Sequence, residues 1–194
     1  MAASGLDPSK IFPFPLDDFQ LEAIDALNQG HSVVVSAPTG SGKTLVGEYA
    51  IHRALAHGQK VFYTTPLKAL SNQKLRDFRE AYGDDNVGLM TGDLSVNREA
   101  SIVVMTTEIF RNMLYAEASE QDDPLADVEA VVLDECHYMN DSQRGTVWEE
   151  SIIHCPPSVQ LVALSATVAN AGQLTDWIQK VHGPTTLVLS DYRP

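Results

Sequence analysis

The sequence predicts an α/β domain: a mostly parallel central sheet with helices on both faces. Three observations carry this. Strand-length apolar runs alternate with helix-length segments along all 194 residues. The runs are continuously apolar, as in Val33-Val34-Val35 and Ala130 to Leu133, rather than alternating, which marks strands buried on both faces. No internal repeat, low-complexity segment or linker interrupts the pattern, so one domain is expected over residues 1–194.

In chain order, Phe12 to Asp18 is an extended lead-in. Asp17 or Asp18 caps a helix over Phe19 to Asn28, with Gly30 as its stop. The strand Val33 to Val35 follows, then a glycine-rich turn and a helix from Lys43 to His57, closed by Gly58. Lys60 to Thr65 is β-rich, and Pro66 opens a helix to Tyr82, closed by Gly83. Asn86 to Met90 is a short strand and Thr91-Gly92-Asp93 a turn. Ile102 to Met105 is a strand that leads into a helix over Glu108 to Ala116. Residues 117–127 are acidic and turn-rich and read as a solvated surface loop. Ala130 to Leu133 is a strand ending in Asp134-Glu135. A helix over Gly145 to Ile153, a strand over Val159 to Leu164, a helix over Gly172 to Val181 and a strand over Thr186 to Leu189 complete the chain.

Ala37 to Thr44, APTGSGKT, has the form of a phosphate-binding loop with Ala in place of the usual first glycine. Gly40 and Gly42 let consecutive backbone N–H groups converge on phosphate oxygens. The next helix adds its partial positive end. Lys43 reaches the β- and γ-phosphates, and the Thr44 hydroxyl is placed to ligate Mg²⁺. A Gly/Ser loop with an incidental lysine would not need a strand before it, a helix after it and a GKT ending. The loop implies a bound nucleoside triphosphate and leaves its use open.

The net charge of −13 argues against bulk electrostatic capture of nucleic acid, though not against a narrow basic groove. Lys68, Lys74, Arg76 and Arg79 form such a local excess; a solvated helix face explains them equally well. The pairs Cys136-His137 and His154-Cys155 fit no common zinc spacing, and two thiols suit a reducing compartment. No apolar run has bilayer-spanning length, so no membrane is expected. The N-terminus lacks a secretory pattern, which favours the cytoplasm, or an organellar stroma if a transit peptide has been removed.

Ligands of such sheets bind beyond the carboxyl ends of the strands. The phosphate loop, Thr65-Pro66, Thr106-Thr107, Asp134-Glu135 and Ser165 to Thr167 all fall at those ends and are expected to form one surface. In LDECH, Leu133 to His137, Asp134 suits Mg²⁺ and Glu135 suits the attacking water. The order and spacing of APTGSGKT, TTPLKAL, TGD, MTTEIFRNML, DECH and LSAT resemble superfamily 2 helicases of the DExH group. FPLDDFQ, Phe14 to Gln20, is similar to the adenine-reading segment of superkiller-type RNA helicases. LVALSATVANAGQLTDWI resembles the same group, especially its bacterial and plastid branch.

The resemblance implies a RecA-like phosphate-loop NTPase fold and an ATP-dependent RNA helicase with ATP and Mg²⁺ as cofactors. It makes residues 1–194 the first RecA-like domain, with residues 1–20 as an adenine-reading lead-in. It implies that Gln20 bonds the adenine edge and Phe14 stacks on the ring. Ala37, Pro38, Thr39, Gly40, Ser41, Gly42, Lys43 and Thr44 would hold the phosphates. Asp134 and Glu135 would serve metal and water, with Lys43 as the third catalytic group. His137, Ser165 and Thr167 would couple ATP to the nucleic-acid side. Pro66, Lys68, Gly92, Thr106, Thr107 and Arg111 would lie along the RNA backbone, reading little sequence. Blander roles stand beside these: Thr106 and Thr107 as helix caps, Phe14 as core packing, His137 as a structural histidine.

The family's motor needs a second RecA-like domain with an arginine finger, and none of Arg98, Arg111 or Arg144 suits that role. The chain is therefore expected to be the first motor domain of a larger enzyme, binding nucleotide but hydrolysing it poorly. A DNA helicase and a non-hydrolysing nucleotide-binding module are the alternatives. The intact Lys43, Asp134 and Glu135 count against the second.

Overall fold

The computed structural model describes residues 12, 16–38, 42–91, 95–97, 99–117, 127–135, 145–156, 158–166 and 171–190. The elements run α1 (Asp18–Asn28), β1 (Ser32–Ser36), α2 (Thr44–Ala56), β2 (Lys60–Thr65), α3 (Lys68–Tyr82), a 3-10 turn (Asp84–Asn86), β3 (Val87–Met90), β4 (Ser95–Val96), β5 (Ile102–Thr106), α4 (Thr107–Glu117), β6 (Val128–Leu133), α5 (Gly145–His154), β7 (Gln160–Ser165), α6 (Ala171–Val181) and β8 (Thr185–Leu189). Among the described residues, eight strands form one sheet in the order β4-β3-β5-β2-β6-β7-β1-β8. Every pairing is parallel except β3 with β4. This is the RecA-like α/β arrangement that the sequence predicts.

Two cores follow from the two-residue period of a strand. Val33, Val35, Val61, Tyr63, Val104 and Val132 face one way, against α1, α2 and α3. Val34, Phe62, Val103, Met105, Val131 and Leu133 face the other way, against Phe110 and Leu114 of α4, Ile152 of α5 and Leu174 and Ile178 of α6. Each central strand thus needs apolar residues on both sides, which explains the unbroken runs. Helix α2 sits close to the sheet through Gly47. A Cβ there would meet Val132 Cγ1 at 3.3 Å and the Tyr63 ring at 3.4 Å.

At the amino edge of the sheet, side chains tie elements together. Arg53 of α2 donates to Gln160 Oε1 at 2.8 Å and lies 3.4 Å from Glu129 Oε2. His57 also bonds Glu129. Gln160 Nε2 donates to the carbonyls of Leu27 and His31, both at 2.9 Å. The end of α1, the end of α2 and the starts of β6 and β7 are thereby locked to one another.

The sequence expectation misses β4, a two-residue antiparallel edge strand. Gly88 makes it fit: a Cβ at that position would stand 2.1 Å from the Asn97 carbonyl oxygen. Among the described residues no helix is long and apolar enough to cross a membrane.

Candidate nucleotide site

The carboxyl ends of β1, β6 and β7 lie side by side, with β7 in the middle. Each loop leaves its strand through a hydrogen bond that prolongs the ladder. Ala37 N–H donates to Ser165 O at 3.0 Å, and Asp134 N–H to Thr64 O at 2.9 Å. Ser165 pairs with Ser36, is fully buried, and donates its hydroxyl to Ala166 O at 2.7 Å. The phosphate-loop start, the acidic pair and Ser165 therefore share one edge, as the strand-end argument requires.

Lys43 precedes the first turn of α2. Its side chain is 6% exposed, and Nζ donates to Ala37 O at 3.3 Å across the loop. The structure buries the stem of Lys43 and lends the ammonium to the loop's own backbone. Thr44 opens α2 and is half-buried; Ala37 and Pro38 are buried. Thr39, Gly40 and Ser41 lie outside the described residues.

Gln20 is buried, and both ends of its amide are engaged. Oε1 accepts the Asp17 N–H at 2.8 Å, and Nε2 donates to the Gly42 carbonyl at 3.0 Å. The first bond is half of a capping box, Asp17 with Gln20 at the third helical position. The second ties α1 to the phosphate loop. Among the described residues, one N–H and one lone pair of the amide have no further partner. Gly42 has φ 89, and a Cβ there would stand 2.8 Å from Gln20 Nε2, so side chain and glycine require each other. Phe14 is outside the described residues.

Asp134 is 5% exposed at the end of β6. Its Oδ1 accepts the Glu135 N–H at 2.9 Å, and its Oδ2 accepts the Tyr63 hydroxyl at 2.6 Å. Lys74 Nζ is 4.0 Å from the same Oδ2 and rides over the Tyr63 and Phe78 rings, 5.6 and 5.9 Å from their centroids. Burial, and then the Asp134 carboxylate, push the Tyr63 phenol well above its ordinary range, so the hydroxyl stays a donor. Burial also raises the Glu48 carboxyl, against the pull of Lys74. Glu135 adopts φ 55, a left-handed conformation that costs a non-glycine residue about 1–2 kcal/mol. Backbone strain of this kind clusters at functional sites, and here it falls on a member of the acidic pair.

Behind this pair runs a file of edge-on rings. Phe12 meets His52 at 6.0 Å, His52 meets Tyr82 at 5.3 Å, Tyr82 meets Phe78 at 5.9 Å, and Phe78 meets Tyr63 at 4.9 Å. It links the lead-in to Asp134 through α2 and α3. Sequence reasoning passed over Tyr63; its signal was a tyrosine two residues before a strand end, in an otherwise apolar run.

The expected nucleic-acid residues sit on the same edge, further along. Pro66 is half-buried between β2 and α3, and Lys68 is exposed at the start of α3. Thr106 accepts the Ile109 N–H at 3.4 Å, so it does cap α4. Thr107 donates to Thr65 O at 3.2 Å, tying the start of α4 to the end of β2. Arg111 lies 3.6 Å from Glu150 of α5 and donates to Asn112 Oδ1 at 3.1 Å. Of the basic cluster, Lys68 and Arg76 are exposed while Lys74 turns inward, so it is neither a uniform solvated face nor a uniform groove. Gly92, His137 and Thr167 fall outside the described residues, as does Cys136; Cys155 is buried in the second core.

Residues 17–174 match the sequence model of the DEAD/DEAH box helicase family. The chain is 58% identical over 186 residues to the DExH-box ATP-dependent RNA helicase DExH15, chloroplastic, of Arabidopsis thaliana, covering 95% of the chain and 16% of that protein. It is 50% identical over 184 residues to the antiviral helicase SKI2 of Saccharomyces cerevisiae, covering 95% of the chain and 14% of that protein. The chain thus spans less than a fifth of either relative. Among solved structures, Mycobacterium smegmatis helicase Lhr bound to ssDNA and AMP-PNP superposes with a TM-score of 0.71 at 27% identity, over 94% of this chain and 26% of that one.

Proposed function

The chain belongs to the DEAD/DEAH box helicase family, and from that membership we propose that it is the ATP-binding motor domain of an ATP-dependent RNA helicase. The observation that carries the reading is the shared edge: buried Lys43, Thr44 and the Asp134-Glu135 pair around the end of β7. The donor set fits a magnesium nucleotide. Thr44 offers a hydroxyl and Asp134 a carboxylate, oxygen ligands suited to a hard cation that keeps several waters. Bound ATP with Mg²⁺ supplies the phosphoanhydride whose cleavage drives the motor.

The chain's own groups do the rest. Lys43 exchanges the Ala37 carbonyl for phosphate oxygens. The N–H groups of the phosphate loop would offer donors to those oxygens, and Gln20 would offer an N–H and a lone pair to the adenine edge, with Phe14 assigned to the ring. Asp134 would hold the cation, and Glu135 would accept a proton from the attacking water. Ser165, Thr167 and His137 are assigned the coupling of this site to Pro66, Lys68, Gly92, Thr106, Thr107 and Arg111, which would take sugar-phosphate oxygens. Closure against a second RecA-like domain completes both sites.

The RNA assignment is supported by the names of the 58% and 50% identical relatives. A DNA motor is the second reading, favoured by the single-stranded DNA held by Lhr. Stimulation of the full-length enzyme's ATPase by equal lengths of RNA and DNA separates them. RNA alone should stimulate, and equal or greater stimulation by DNA overturns the RNA reading.

A further inference from the structure

Among the described residues, the Asp134 carboxylate has two unlike neighbours on one oxygen. The Tyr63 hydroxyl donates to Oδ2 at 2.6 Å, and the Lys74 ammonium approaches the same atom at 4.0 Å. Tyr63 is fully buried on β2, the strand next to β6, with Phe78 edge-on at 4.9 Å. Its ring cannot swing, so the hydroxyl is a fixed donor. A short bond to an ionised acceptor is among the stronger hydrogen bonds a side chain makes. With Oδ1 taken by the Glu135 N–H at 2.9 Å, the carboxyl plane is pinned at both oxygens, and the remaining lone pairs have set directions. Lys74 contributes charge rather than direction: at 4.0 Å its contact is loose, and its side chain is 23% exposed.

We propose that Tyr63 is a positioning residue for the magnesium-holding carboxylate of Asp134, and that Lys74 is a resident counter-charge against which the divalent cation binds. The proposal rests on the reading of Asp134 given above. It assigns the two neighbours effects of opposite sign. Loss of the Tyr63 hydroxyl frees the carboxylate to rotate and weakens the cation. Loss of the Lys74 charge deepens the negative potential at Asp134 and strengthens it. A purely structural role for both would weaken the cation in both variants.

A fluorescent ADP analogue, titrated with the chain at increasing Mg²⁺, gives the half-saturating Mg²⁺ concentration without any turnover. Tyr63→Phe should raise that concentration about fivefold or more, by loss of a bond to a charged group. It should leave the affinity measured in EDTA unchanged. Lys74→Met should lower the concentration about two- to threefold, a partly screened charge effect, and Lys74→Arg should restore the parent value. Lys74 is partly exposed, so its variants test the sign even if Tyr63→Phe lowers the melting temperature. An unchanged Mg²⁺ requirement in Tyr63→Phe, or shifts of the same sign in Tyr63→Phe and Lys74→Met, overturns the proposal. A parent chain whose ADP affinity ignores Mg²⁺ overturns the Asp134 reading itself, a distinct result.

Discussion

At the scale of single residues, the phosphate loop is held by side chains that also serve the fold. Lys43 is buried, and among the described residues its ammonium gives the loop one long bond, 3.3 Å to Ala37 O. Lys43→Ala should therefore weaken binding of a fluorescent ADP analogue by more than about tenfold, roughly 1.4 kcal/mol. Its melting temperature should stay within a few degrees of the parent, and unchanged ADP affinity would remove Lys43 from the site. Gln20 is different, because it closes a capping box and props Gly42. Gln20→Ala should cost about 1 kcal/mol of stability, as lost caps do, and also relax the preference for ATP over GTP in competition. If ATP and GTP compete equally for the parent chain, the adenine role is wrong while the cap remains.

At the scale of elements, the joints between helices and sheet make two further expectations concrete. Gly88 lets β3 run under the β4 return with an Asn97 oxygen where a Cβ would be. Gly88→Ala should destabilise the domain by about 1–3 kcal/mol, the usual cost of overpacking, measured by urea denaturation; a neutral result would mean that β4 can lift away. His52, between Phe12 and Tyr82, has its pKa lowered below the ordinary 6.5 by burial. A base with a depressed folded pKa contributes stability above the unfolded value, and that stability is lost as pH falls through the folded one. The parent's melting temperature should therefore fall more steeply between pH 7.5 and 5.5 than that of His52→Gln; parallel curves would contradict this. The sequence made much at this scale legible. Continuous apolar runs marked the buried strands, and the caps at Asp17 and Gly83 marked helix ends. The neighbours of Asp134 were not legible. Tyr63 reaches Asp134 because β2 lies beside β6, from which it is separated by β3, β4 and β5 in the chain. Lateral strand order is a non-local outcome that no local pattern records. The inward turn of Lys74 depends on the same order, so a cluster that reads as one basic face divides in the fold.

At the scale of the whole molecule, the proposed nucleotide site gathers groups suited to ground-state binding, with no convincing cation for the transition state among the described residues. The chain is expected to bind ATP or ADP with Mg²⁺ yet hydrolyse it slowly. An arginine finger contributes about 10³–10⁵ in rate. A steady-state phosphate-release assay with and without RNA checks this, and RNA-stimulated turnover near about one per second would show a complete enzyme.

The lashing of Arg53, Glu129, His57 and Gln160 at the amino edge has a consequence for how such a domain changes over generations. It stands a strand's length, about 17 Å for five residues, from the groups proposed to handle nucleotide. Substitutions that far apart, sharing no partners, act nearly additively. Lineages under heat or cold can thus strengthen or loosen the lashed end without disturbing the other. Drift in nucleic-acid preference at the carboxyl edge can proceed without eroding the fold's anchorage.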